Sequence, residues 1–234
     1  MNNSIQTLSF IKILIAFIPV LLVMGILIKW SLKIKTSIHA VLRMLSQLLI
    51  IGYFLTTIFE SNNPWIVMAI FLLMIITSSW ISLRTIKKER KKLYKNAFIA
   101  ILIGGGFTLF IVSQKVLDLT PWYSPRYIIP LAGMIFANCM NSVSLAAERF
   151  HAESVHHLDY LKSRKIAFKA ALIPSVNSLF AVGLVSIPGM MTGQILSGIS
   201  PIIAARYQIM VMCMVFGSAG LSAACYLYLL KPKK

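Results

Sequence analysis

Seven stretches of mostly apolar residues run through this 234-residue chain, and they limit its possible folds more than any other feature. A helix needs about 20 apolar residues to cross a bilayer core of about 30 Å. The stretches predict seven transmembrane helices, at residues 8–28, 38–58, 64–83, 97–117, 127–147, 171–193 and 206–230. We therefore expect an all-α, polytopic integral membrane protein whose residues 1–234 form a single transmembrane domain.

The overall composition excludes the soluble classes of protein. Hydrophobic residues make up 58% of the chain and charged residues only 12%, whereas soluble domains carry roughly 25% charged residues. Disordered chains lack this much apolar mass. The sequence thus predicts a multi-pass protein of the cell membrane, in contact with the lipid bilayer.

The basic residues predict the orientation of the chain in the membrane. The formal net charge is +17, and 18 of the 23 lysine and arginine residues fall in alternate loops and the C-terminal tail. Lys and Arg concentrate in loops that stay on the cytoplasmic side. We therefore expect the N-terminus outside and the C-terminus inside. Because the cytoplasmic loops account for the positive charge, we expect no nucleic-acid partner.

The sequence lacks the motifs of common catalytic and energy-coupling sites. Gly104, Gly105 and Gly106 are followed by Phe-Thr-Leu-Phe inside a predicted span, without the lysine of a phosphate-binding loop. The six acidic residues lie in loops or at span edges, whereas proton-driven carriers typically use acidic groups within the membrane. We expect no catalytic residues and no cofactor bound by this chain.

Polar residues at membrane depth mark the fifth predicted span. Met134, Asn138, Asn141 and Leu145 are spaced so that they share one helix face. Polar groups are costly in lipid unless they face protein or water. The face therefore has two interpretations, the lining of a substrate pathway and hydrogen bonding between helices, and the sequence does not decide between them.

Prolines mark the sixth predicted span. Pro174 removes a backbone donor near its start, and Pro188 followed by Gly189 does so near its end. Discontinuous helices of this kind often form substrate sites in transporters. Met190 and Met191 add sulfur ligands that prefer soft metals, although methionine also serves as core filler.

Segments of these two spans closely resemble the Fet-type permease family of ABC transporters. The similarity is strongest over residues 128–145 and 171–222, which contain Ala-Leu-Ile-Pro-Ser-Val-Asn-Ser and Val-Gly-Leu-Val-Ser-Ile-Pro-Gly-Met-Met. The family includes bacterial iron-export permeases and plant relatives tied to aluminium tolerance. Together with the polar content, the resemblance points to a candidate substrate pathway formed by Met134, Asn138, Asn141, Asn177, Pro188, Gly189, Met190, Met191 and Gln194. Which residues would bind a metal stays open.

The resemblance implies a permease subunit that a separate cytoplasmic ATPase energises. That partner would bind ATP and Mg²⁺, the permease would form a homodimer, and the substrate would be iron or a related metal. The predicted cytoplasmic loop 148–170 would contact the ATPase. Its candidate coupling residues are Phe150, Leu158, Tyr160 and Leu161.

The chain departs from the family pattern at two places, and two other functions stay open. The loop before Ala171 is shorter than in the family, and Asn177 stands where an aspartate is common. One alternative is a secondary carrier that works alone. The other is a membrane binding or regulatory protein that does not transport.

Overall fold

The computed structural model describes residues 9–60, 63–155 and 159–231, and these residues are almost entirely helical. A π-helical turn, Val112–Val116, continues the fifth helix. The helices are α1 Phe10–Ala16, α2 Ile18–Lys29, α3 Ile34–Glu60, α4 Pro64–Ser82, α5 Arg90–Ile111, α6 Pro125–Val155, α7 Tyr160–Ala181, α8 Gly189–Leu196 and α9 Pro201–Leu229.

Six helical segments among the described residues are long and apolar enough to cross a membrane. They correspond to the first five predicted spans and to the last one. The protein is thus an all-α, polytopic membrane protein, as the sequence predicts. The six segments are Phe10–Lys29, Ile34–Glu60, Pro64–Ser82, Arg90–Val116, Pro125–Ser154 and Pro201–Leu229. The total of seven spans and the orientation stay predictions.

The sixth predicted span, 171–193, is not one continuous helix. Helix α7 ends at Ala181, and α8 begins at Gly189 directly after Pro188, which occupies its N-cap position. The chain turns between them, where Gly183 adopts a φ of 86° and its N–H donates to the Ser186 carbonyl at 3.0 Å. The interruption predicted at Pro188 is therefore present, whereas Pro174 lies inside α7.

The predicted cytoplasmic loop 148–170 differs from the structure in its local conformation. Helix α6 continues to Val155, and α7 begins at Tyr160. Charged residues such as Arg149 and Glu153 extend α6 beyond its apolar part, and they form an ion pair one turn apart. The segment is thus mostly helical, with a short connection between two helices. Its cytoplasmic side and its contact with an ATPase stay predictions.

The contacts between helices group the chain into two compact units, and the single transmembrane domain expected from the sequence stays a prediction. The first contains α1 to α3, and none of its described residues is buried. In the second, α9 packs against α5, α6, α7 and α8, and α6 also contacts α4, α5 and α7. The fully buried side chains of this second unit include Ile101, Ile135, Met214 and Tyr226.

Small residues allow α5 and α9 to approach closely. A Cβ atom added at Gly104 would lie 2.6 Å from the Ser222 backbone nitrogen and 2.9 Å from its Cα. Ser218 and Ser222 lie one turn apart on α9 and are both fully buried. Small residues at this spacing favour close contact between membrane helices. The glycine triplet 104–106 therefore contributes to helix packing, and Gly104 is the point of closest approach.

We expect Gly104→Ala to lower the free energy of unfolding by about 1–3 kcal/mol, because overpacking forces the two backbones apart. Gly106→Ala is the matched control, since a Cβ there meets nothing within 4 Å. Thermal unfolding in detergent would measure both. Equal effects of the two substitutions would contradict the close contact of α5 with α9.

Candidate functional site

A small polar cleft lies between α6 and α7, in the part of the fold where the sequence predicted a pathway. Its volume is about 60 Å³. Helix α6 contributes two asparagines near its middle, and α7 contributes the turns around Pro174. The lining residues are Asn138, Asn141, Ser142, Leu145, Ala171, Pro174, Ser175 and Ser178.

Hydrogen bonds distinguish the polar residues of α6 that bond to other helices from those that do not. The hydroxyl of Ser142 donates to the Ala219 carbonyl at 2.9 Å and lies 3.4 Å from the Ala171 carbonyl. The thiol of Cys139 lies 3.5 Å from the Ser218 carbonyl. Asn138, in contrast, donates its side-chain N–H to Met134 within its own helix, at 2.8 Å. In this part of α6, the bonds to other helices therefore come from Ser142 and Cys139.

The two asparagines nearest the surface have unused hydrogen-bonding groups. Asn141 on α6 and Asn177 on α7 are exposed, and neither side chain bonds to any residue that the structure describes. Asn177 lies one turn from Pro174, but it is not among the residues that line the cleft. Polar groups at this depth need water or another protein surface, because lipid offers them no partner.

The other pathway candidates do not line the cleft either. Met134 is half-buried on α6, Pro188 precedes α8, and α8 itself carries Gly189, Met190, Met191 and Gln194. Met190 is exposed, while Met191 and Gln194 are half-buried. The side-chain amide oxygen of Gln194, Oε1, is buried without a partner among the described residues. Helix α8 packs against α9, and none of its residues lines the cleft. Their role in a pathway stays a prediction, as does that of Pro188 and Gly189.

The described residues contain no group of three or more His, Cys, Asp or Glu side chains placed to hold a metal ion. The cleft instead offers amide and hydroxyl groups. These oxygen atoms can contact a cation in passage, but they carry no formal charge to retain it. These uncharged groups favour brief contact with a cation over tight binding.

The predicted coupling residues lie where α6 and α7 meet. The rings of Phe150 and Tyr160 contact each other edge to face, with centroids 6.0 Å apart. The Tyr160 hydroxyl donates to the Leu227 carbonyl at 2.9 Å, which ties α7 to α9. Leu161 is 52% exposed and available for contact with a partner. Leu158 lies outside the described residues.

Ser175 and Ser178 belong to the cleft, although the sequence analysis did not select them. The hydroxyl of Ser178 donates to the Pro174 carbonyl at 2.9 Å, and Ser175 is buried. Their spacing of three residues beside Pro174 was the available signal, because it places them on one helix face.

A family model matches almost the whole chain, over residues 10–164 and 159–233. Its description is "Uncharacterised protein family (UPF0014)". The chain belongs to this family. Together with this match, the relatives described next confirm the resemblance to the Fet-type permeases. No solved structure matches the chain.

Named relatives come from bacteria and plants. The UPF0014 membrane protein slr1647 of Synechocystis is 36% identical, over 74% of this chain and 73% of the relative. The probable iron export permease protein FetB of Escherichia coli K12 is 33% identical, over 91% and 88%. Protein ALUMINUM SENSITIVE 3 of Arabidopsis thaliana is 30% identical, over 91% and 83%. With its apolar helices, this family member is a multi-pass membrane permease.

We expect Ser142→Ala to lower the free energy of unfolding by about 0.6 kcal/mol, the average measured for hydrogen bonds between membrane helices, and by no more than about 1.7 kcal/mol. Ser154→Ala, on the same helix, is the control, because the exposed Ser154 hydroxyl bonds only within α6. Unfolding in mixed micelles would compare them. A loss no larger for Ser142→Ala than for Ser154→Ala would show that Ser142 does not tie α6 to α9.

Proposed function

We propose that this chain is the membrane-spanning subunit of an ATP-driven exporter of iron or a related metal ion. In this proposal a homodimer of the chain works with a separate cytoplasmic ATPase, which binds ATP and Mg²⁺. The relative named an iron export permease supports the substrate class. The absence of a phosphate-binding motif from the sequence agrees with energy supplied by a partner.

The observation that carries the proposal is the unpaired polar face that α6 and α7 present together. Asn141 lies near the middle of α6 and Asn177 lies near the end of α7, and both side chains are exposed. A second copy of the chain would cover this face and enclose a polar route between two such clefts. An isologous contact of this kind is the commonest arrangement in homodimers.

Helix α7 provides the mechanical link in this account. Its first turn carries Tyr160, which is bonded to α9, and its middle carries Pro174 and the cleft residues. Proline removes one backbone hydrogen bond and weakens the helix locally. An ATPase that moves while it contacts Leu161 would shift α7, and this shift would reach the cleft residues on the same helix.

The test is co-purification of the tagged chain with its candidate ATPase, followed by ATP hydrolysis with and without Fe²⁺. We expect a stable complex whose hydrolysis is stimulated by the metal. Asn141→Leu and Asn177→Leu should raise the Fe²⁺ concentration that gives half-maximal stimulation by about 5- to 150-fold, the usual range of coupling between the affinities of distant sites. Thr77→Val, a similar polar-to-apolar change on α4 outside the cleft, should leave it unchanged.

Two results would reject the proposal. Transport by the purified chain without any ATPase would establish a secondary carrier. Failure to bind an ATPase, with no transport, would favour a binding or regulatory protein. Equal metal stimulation in the Asn141→Leu, Asn177→Leu and Thr77→Val proteins would leave the complex in place but exclude the cleft as the metal pathway.

A further inference from the structure

A second, larger cavity lies on another side of the bundle, between α5, α7 and α9. Its volume is about 610 Å³. Apolar side chains form most of its wall, among them Phe107 from α5 and Phe168 from α7. Two cationic side chains, Arg164 and Lys165 of α7, also line it. The cleft with Asn138 and Asn141 shares none of these residues.

The charged and apolar groups of the cavity lie at different depths. Arg164 follows Tyr160 by one turn, and Tyr160 bonds to Leu227 near the end of α9. Tyr228 lines the cavity beside this end, whereas Leu221 lies about 10 Å further along α9, at 1.5 Å per residue. The two cations thus lie at the end of the bundle where α9 ends. The apolar wall of the cavity extends from them toward the middle of α9.

The two cations lack an acidic partner within the protein. The Arg164 guanidinium lies 5.6 Å from the centre of the Tyr160 ring. Neither Arg164 nor Lys165 pairs with a carboxylate among the described residues. The described lining of the cavity contains no acidic side chain. A positive end beside an apolar wall is complementary to an amphipathic anion.

We propose that this cavity binds an anionic phospholipid. The lipid phosphate contacts Arg164 and Lys165, and an acyl chain lies against Phe107, Phe168 and Leu221. Basic pockets between membrane helices on the cytoplasmic side bind anionic headgroups in this way. The volume lies within the range of about 300–1,000 Å³ usual for ligand pockets. The proposal does not depend on the transport function.

Native mass spectrometry with phosphatidylglycerol and phosphatidylcholine in mixed micelles tests the charge requirement. We expect selective retention of phosphatidylglycerol. Arg164→Gln combined with Lys165→Gln should weaken it by about 30-fold, about fivefold for each charge. Lys162→Gln combined with Lys169→Gln is the control. It removes the same charge from exposed positions of α7 that do not line the cavity.

The native cysteines report occupancy and folding in the same samples. Cys225 lines the cavity, Cys213 is exposed elsewhere on α9, and Cys139 is buried. Phosphatidylglycerol should slow alkylation of Cys225 relative to Cys213, and phosphatidylcholine should not. An unreactive Cys139 shows that a variant is folded.

Three results would overturn the proposal. The first is equal retention of the two lipids by the wild-type chain. The second is an equal loss of phosphatidylglycerol in both double variants, which would indicate general surface attraction. The third is protection of Cys225 that rises with protein concentration and not with lipid, which would assign the cavity to a second copy of the chain.

Discussion

The close approach of α9 to its neighbours is the constraint on which the second unit depends. Lipid tails are as apolar as leucine, so membrane helices associate through close packing and hydrogen bonds. Gly104 brings the backbones of α5 and α9 together at Ser222, and Ser142 bonds to Ala219 across the next interface. These contacts fix α9 as the helix around which α5, α6, α7 and α8 are arranged.

This packing determines which polar groups remain available for function. Ser142 and Cys139 face α9, and their contacts with its carbonyl groups join the two helices. Asn141 and Asn177 are exposed on α6 and α7, where no described residue bonds to their side chains. Helix α6 therefore packs against α9 through one face and exposes the polar side chain of Asn141 on another. We propose the dimer because this second, exposed polar face needs water or another protein surface.

The sequence predicts the helices well because a bilayer needs long apolar segments, and α3, α4 and α9 begin and end within a few residues of expectation. It also predicts the interruption before Gly189, since Pro188 cannot continue a helix. It does not predict the long helices that extend past residue 148, because charged residues there look like a loop. The cavity at Arg164 also escapes prediction, since three separate helices form it.

The most direct test of this account is the distance between two copies of the chain in membranes. Spin labels would be placed at Asn177→Cys or at Thr77→Cys, with the three native cysteines replaced. The account predicts a separation of about 20 Å or less at position 177, since contacting helices lie 8–10 Å apart, and a longer one at position 77. No dipolar coupling at position 177, or a shorter distance at position 77, would contradict the covered polar face.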